Sequence, residues 1–235
     1  MTRDFETEER RTDELTGVVL AGGYSRRFGD EDKALADLGG RPLLGRVVAR
    51  LAEVADRVVV NCRADQRRRF ERALAPESAA VSASVGFAED PVPDRGPLFG
   101  FRTALAEVET EACALAACDA PFLDPRLVAD LAGRLVEDET AQAVALRTGG
   151  RPHPTQAVYR TAPAESACES LIDAGESRLS ALLDRLATRP VSAEEVAGNP
   201  ARSVFDVDTS ADRERAEAML DPNSAIGLGE LVAPR

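Results

Sequence analysis

Apolar positions along this 235-residue chain follow two alternating periods. Short apolar runs at residues 17–20, 57–61, 85–88, 112–118, 142–146, 155–160 and 203–207 predict strands. Stretches at 43–54, 65–75, 98–108, 125–136, 162–174, 177–186 and 211–220 predict helices. The run at 112–118 is all small and apolar, as expected of a central strand covered on both faces. Pro42 and Pro125 stand at helix starts, where the missing N–H costs nothing, and Asp124 is placed to cap the second of these helices. Strand and helix in alternation predict an α/β fold, Rossmann-like and three-layered, with a largely parallel central sheet and helices on both faces. Ligands of such sheets bind beyond the carboxyl ends of the strands, where the strand order reverses. No internal repeat or break in composition divides the chain. It reads as one domain over residues 16–220, with tails at 1–15 and 221–235.

Composition narrows the classes. Apolar residues make up 44% of the chain, enough for a sizeable core. The net charge of −12 disfavours nonspecific binding to nucleic acid or an anionic membrane surface. No window is long and apolar enough to span a bilayer. The charged residues 1–14 resemble neither a signal nor a transit peptide, so a cytoplasmic location is expected. Cys62, Cys113, Cys118 and Cys168 lack metal-ligand or paired spacing and read as structural thiols. The acid excess, with arginine in place of lysine, suits a high-salt cytoplasm.

Against that background one residue stands out. Lys+Arg total 29, and Lys33 is the only lysine. It closes the segment Val18-Val19-Leu20-Ala21-Gly22-Gly23-Tyr24-Ser25-Arg26-Arg27-Phe28-Gly29-Asp30-Glu31-Asp32-Lys33. This reads as a strand running into a glycine loop backed by Arg26, Arg27 and Lys33. Glycine brings backbone N–H groups close to a triphosphate, and a lysine ammonium reaches a phosphate oxygen as a point charge. The segment is neither a Walker loop nor a dinucleotide fingerprint. Asp119 follows the central apolar strand, where a hard carboxylate suits Mg²⁺ shared with substrate phosphates. The run Glu89-Asp90-Pro91-Val92-Pro93-Asp94-Arg95-Gly96-Pro97-Leu98-Phe99-Gly100 is a proline- and glycine-rich loop entering a helix. His153 is the only histidine, in Arg151-Pro152-His153-Pro154-Thr155. Arg67, Arg68 and Arg69 read as a solvated helix face. Asp208, Thr209 or Ser210 could cap the last helix.

Together these motifs resemble the nucleotidyltransferases of sugar and cofactor synthesis, in particular the molybdenum cofactor guanylyltransferases. The resemblance rests on Leu-Ala-Gly-Gly with the following basic stretch and Asp-Lys, on Cys-Asp-x-Pro at Asp119, on Asp…Gly-Pro-Leu-x-Gly at Asp90–Gly100, and on His-Pro-Thr at His153. The chain departs from the family at Asp30, at Phe99, and at Asp206 and Asp208, where the guanylyltransferases carry Asn-x-Asn. The resemblance implies transfer of GMP from GTP to molybdenum-loaded molybdopterin, with release of pyrophosphate. It implies Lys33, Arg27 and Asp119 as catalytic residues, with Mg²⁺ on Asp119. It places the backbone of Leu20, Ala21, Gly22 and Gly23 at the nucleotide, with Arg26 on the triphosphate. Asn61, Asp90, Gly96, Pro97 and Leu98 fall near the nucleoside, and His153 near the pterin. Gly22 is expected to leave room for a purine amino group. Lys33 is read as an exposed loop charge that adds little to stability. Other molybdenum cofactor biosynthesis proteins and acceptor molybdoenzymes are the implied protein partners. A related cytidylyltransferase and a non-catalytic GTP-binding protein are the alternatives.

Overall fold

The computed structural model describes residues 15–24 and 32–220. Strand β1 (Leu15–Leu20) comes first, and a 3-10 turn at Lys33–Leu35 precedes a two-stranded ribbon, β2 (Asp37–Leu38) and β3 (Arg41–Pro42). Then come α1 (Leu43–Leu51), β4 (Arg57–Arg63), α2 (Ala64–Ala80), β5 (Ser84–Asp90), α3 (Pro97–Leu105) and β6 (Ala112–Ala117). The second half holds α4 (Pro125–Glu137), β7 (Ala143–Thr148), β8 (Arg151–Arg160), α5 (Thr161–Asp173), α6 (Leu179–Arg185), β9 (Thr188–Ser192), α7 (Pro200–Ser203) and α8 (Ser210–Leu220).

Seven strands form the main sheet in the order β5-β4-β1-β6-β8-β7-β9. Only β8 runs against the rest, pairing antiparallel with β6 and β7. From β1 the chain builds outward through β4 and β5 on one side, then returns to place β6 on the other. The reversal beside β1 splays the following loops apart and leaves a crevice at the strands' carboxyl ends.

Both sheet faces are covered, and the sequence of β4 shows why. Val58 and Val60 join the core under α1, α2 and α4, while Val59 joins the core under α3, α5 and α6. Side chains alternate across a strand, so the stretch covered on both sides must be apolar at every position, as Val58, Val59 and Val60 are. A third, smaller core seats the C-terminal segment. Phe205, Val207 and Ala216 pack there with Leu38, Leu43 and Phe122. It carries residues 205–208 across the end of β6, where the Val207 N–H donates to the Asp119 carbonyl at 2.9 Å.

Two elements differ from the sequence expectation. Residues 203–207 form no strand: α7 ends at Ser203, and Phe205 and Val207 are buried by the third core. Their alternation records packing onto a core edge, not sheet pairing. Conversely, β9 pairs with β7 although only Val191 of its residues is buried. It is an edge strand, which tolerates Pro190 and needs no apolar pattern. The cysteines are free, and burial pushes the thiols of Cys62, Cys113 and Cys168 up to about 12, as structural thiols require. Among the described residues no helix is long and apolar enough to cross a membrane.

Candidate active site

A cavity of 660 Å³ opens at the carboxyl ends of β1, β4 and β6. Its floor is the end of β1 with the loop Ala21–Tyr24; Lys33 and Asp119 form one side, and Asp90 through Gly100 the other. Leu20, Ala21, Gly22, Gly23, Lys33, Asn61, Asp90, Gly96, Pro97 and Asp119 all line it. Arg26 and Arg27 lie outside the described residues.

Lys33 is at the centre of the polar side. Its Nζ lies 2.6 Å from Asp119 Oδ2 and 2.6 Å from Asp208 Oδ1. Burial disfavours the charged ammonium, but the charges and hydrogen bonds of Asp119 and Asp208 outweigh it, and the Lys33 pKa is raised. The side chain is only 12% exposed, so the expectation of an exposed loop charge is wrong. Asp32 positions it by capping the 3-10 turn, where its side chain accepts from Ala34 N at 3.2 Å. Asp208 escapes capping duty because Thr209 and Asp212 cap α8 reciprocally: Asp212 N donates to Thr209 Oγ1 and Thr209 N to Asp212 Oδ2. Asp124 likewise caps α4, as expected, which leaves Asp119 for the cavity.

The other Asp119 oxygen, Oδ1, is buried and has no hydrogen-bond partner among the described residues. An orphaned carboxylate oxygen is costly unless something fills its coordination. Its hard-oxygen chemistry, with Asp208 alongside, fits Mg²⁺. No cluster of three or more His, Cys, Asp or Glu suited to a metal occurs among the described residues. Mg²⁺ commonly pairs one or two such carboxylates with substrate phosphates and water. Asp206 adds a further acid. Burial pushes its carboxyl up to about 7, reinforced by Asp119 and Asp208. The residue is nevertheless exposed at the surface, so water screens that repulsion and blunts the shift.

On the opposite side Asn61 donates from Nδ2 to Asp90 Oδ1 at 2.8 Å. Burial raises the Asp90 pKa, against the hydrogen bond from Asn61. A Cβ on Gly22 would meet Asp90 Oδ2 at 2.8 Å and Asn61 Oδ1 at 3.1 Å. The glycine thus serves a close approach by these two side chains. Gly96 has φ +88, and a Cβ there would lie 2.9 Å from that of Ser177. This contact brings the α5–α6 turn to the cavity.

Three expectations from the sequence change once the geometry is known. The Ala21 N–H already donates to the Asn61 carbonyl at 3.0 Å, and the Leu20 carbonyl accepts from Cys118 N at 3.1 Å, so this backbone is partly committed. The Leu98 side chain is wholly buried in the core, and its N–H donates to the Ser177 carbonyl. His153 does not line the cavity; its Nε2 lies 2.6 Å from Thr148 Oγ1 on the β7–β8 hairpin, while Pro154 and Thr155 face the cavity instead. Sequence reasoning missed Ser177 and Arg178, which line the wall. Glu176 fixes both: its Oε1 accepts from Ser177 N and Arg178 N, and these bonds with the Arg178 side chain hold its pKa down at about 2. The Gly-Glu-Ser-Arg turn was the available signal.

A doubly wound sheet, a glycine loop at its switch point and a lysine set between two aspartates define a nucleotidyltransferase. Residues 17–191 match the MobA-like NTP transferase domain, and the chain belongs to that family. It is 40% identical over 208 residues to the probable molybdenum cofactor guanylyltransferase of Natronomonas pharaonis, spanning 88% of this chain and 98% of that one. The corresponding protein of Haloferax mediterranei is 37% identical, spanning 85% of this chain and 91% of the relative. Among solved structures, molybdopterin-guanine dinucleotide biosynthesis protein A from Archaeoglobus fulgidus shares the fold, with a TM-score of 0.69 at 24% identity over 87% of this chain and 97% of that one.

Proposed function

We propose that the protein transfers the GMP unit of GTP to the terminal phosphate of molybdenum-loaded molybdopterin. An acceptor phosphate oxygen bonds to the α-phosphorus, the bond from the α-phosphorus to its bridging oxygen breaks, and the electron pair leaves with pyrophosphate. The observation that carries this reading is the contact of Lys33 Nζ with Asp119 and Asp208 beside the glycine loop, in a cavity large enough for a nucleotide.

The chain contributes mainly position and charge. Lys33 presents its ammonium to a phosphate oxygen, and Arg26 and Arg27 neutralise the rest of the triphosphate. Asp119, with Asp208 beside it, would hold Mg²⁺, which would supply positive charge for the α-phosphate and the departing pyrophosphate. Asn61, Asp90, Gly96 and Pro97, which line the cavity, face the nucleoside, while Leu98 anchors their loop in the core. A phosphate nucleophile is ionised at neutral pH, so no general base is required. His153 acts at a distance from the chemistry, by shaping the hairpin that presents Pro154 and Thr155 to the acceptor. The product passes to acceptor molybdoenzymes through other molybdenum cofactor biosynthesis proteins. GTP labelled at the α-phosphate tests the reading: the label is expected on the pterin after incubation with Mg²⁺. Label that remains on nucleotide, with acceptor and metal in excess, refutes it.

A further inference from the structure

One short segment, the junction of β4 and α2, holds the glycine loop from behind. Arg63 Nη1 donates to the Gly22 carbonyl at 2.9 Å and to the Gly23 carbonyl at 2.7 Å. Gln66 Nε2 donates to the Ala21 carbonyl at 3.3 Å. Three successive carbonyls are thereby tied to one side of the loop. In a trans peptide the C=O of one residue and the N–H of the next point in opposite directions. Binding the carbonyls of Ala21, Gly22 and Gly23 therefore turns the N–H groups of Gly22, Gly23 and Tyr24 the other way. All three residues line the cavity. Successive N–H groups turned one way make an anion-binding concavity.

The two clamps are themselves fixed. The Arg63 fork is neutralised by Asp65, with Nε to Oδ1 at 3.1 Å and Nη2 to Oδ2 at 3.2 Å. Its guanidinium carbon lies 4.2 Å from the centre of the Tyr24 ring. A guanidinium so committed serves as a rigid bracket, not as a phosphate ligand. Gln66 is fully buried; its Oε1 accepts from Arg63 N at 3.0 Å, and its Nε2 also reaches Asp32 Oδ2 at 2.8 Å. Asp32 caps the turn that carries Lys33. Gln66 thus ties the strand end of the loop to its lysine end.

We infer that Arg63 and Gln66 are positioning residues of the nucleotide site, which orient three loop N–H groups and Lys33 toward the triphosphate. This rests on the GTP reading above. Arg63→Lys and Arg63→Met test it, because neither can hold two carbonyls and Asp65 at once. Both variants are expected to raise KM for GTP about tenfold or more, with kcat at saturating GTP within threefold of the parent. Isothermal titration with inorganic pyrophosphate, which makes only phosphate contacts, is expected to show the same loss. Affinity within twofold of the parent for both ligands in both variants overturns the inference. So does a loss that matches the unfolded fraction in nucleotide-free melts of both variants, since that is what a purely structural residue gives. Failure of the parent itself to bind GTP sinks the functional reading instead.

Discussion

Removing the Lys33 ammonium separates a charge needed for catalysis from one needed only for folding. Nζ sits 2.6 Å from oxygens of both Asp119 and Asp208, and the Lys33 side chain is 12% exposed. Lys33→Ala removes the cation that both carboxylates contact. Fully buried, such a loss costs about 3–5 kcal/mol, whereas a surface pair is worth about 0–1. Asp119 is 22% exposed and Asp208 48%, so solvent screens much of the effect and about 1–2 kcal/mol is expected. For a domain of this size that is a fall of about 2–8 °C in Tm. Activity should fall much further, by about 10²-fold or more in kcat/KM, or about 2.7 kcal/mol of transition-state stabilisation. Lys33→Arg should lose nearly as much activity, because a broad planar head cannot take the place of an ammonium between two oxygens at this spacing. The assays are a nucleotide-free thermal melt and pyrophosphate release with varied GTP. Near-parental activity in Lys33→Arg would refute the argument, as would an Lys33→Ala loss explained by unfolding at the assay temperature.

Asp119→Asn keeps the shape but weakens the metal ligand, and turnover at limiting Mg²⁺ should fall about 10²-fold with Tm little changed; normal turnover there would place the metal elsewhere. Gly22→Ala drives a Cβ to 2.8 Å from Asp90 Oδ2, so GTP binding measured by titration should weaken, and unchanged affinity would show that the Asn61–Asp90 pair yields freely. Glu176 has its pKa lowered to about 2 from an ordinary 4.5, so its stabilising effect is complete above 4.5 and is lost as pH falls through 2. The melting-temperature gap between the parent and Glu176→Gln should therefore close across that window, and a gap that stays constant would contradict it. Arg68→Lys, on the exposed face of α2, should alter neither activity nor melting.

Most of the architecture was legible because the doubly covered strands have little choice of residue. The valines of β4 and the small apolar run of β6 must be apolar at every position, and that pattern survives in sequence. The edge strand β9 does not: it needs only Val191 inside and draws its pairing from backbone groups that leave no trace in composition. Residues 203–207 misled for the converse reason, since packing at a core edge can imitate strand alternation. In the site, Lys33 and Asp119 were visible because their types are unusual where they stand. Their mutual contact, and the arrival of Asp208 from 175 residues away in sequence, depend on the third core and could not be read locally. Arg63 and Gln66 were invisible for a different reason. They act on backbone carbonyls, and a side chain that binds backbone leaves no partner motif to search for.

Pyrophosphate release with GTP, CTP and ATP, each with and without molybdenum-loaded molybdopterin in the presence of Mg²⁺, tests the account most directly. A site that reads specific base groups can reject analogues lacking them by orders of magnitude. Release is expected with GTP alone among the three nucleotides, and only when the acceptor is present. Equal or faster release with CTP, or release with GTP that ignores the acceptor, would contradict the assignment.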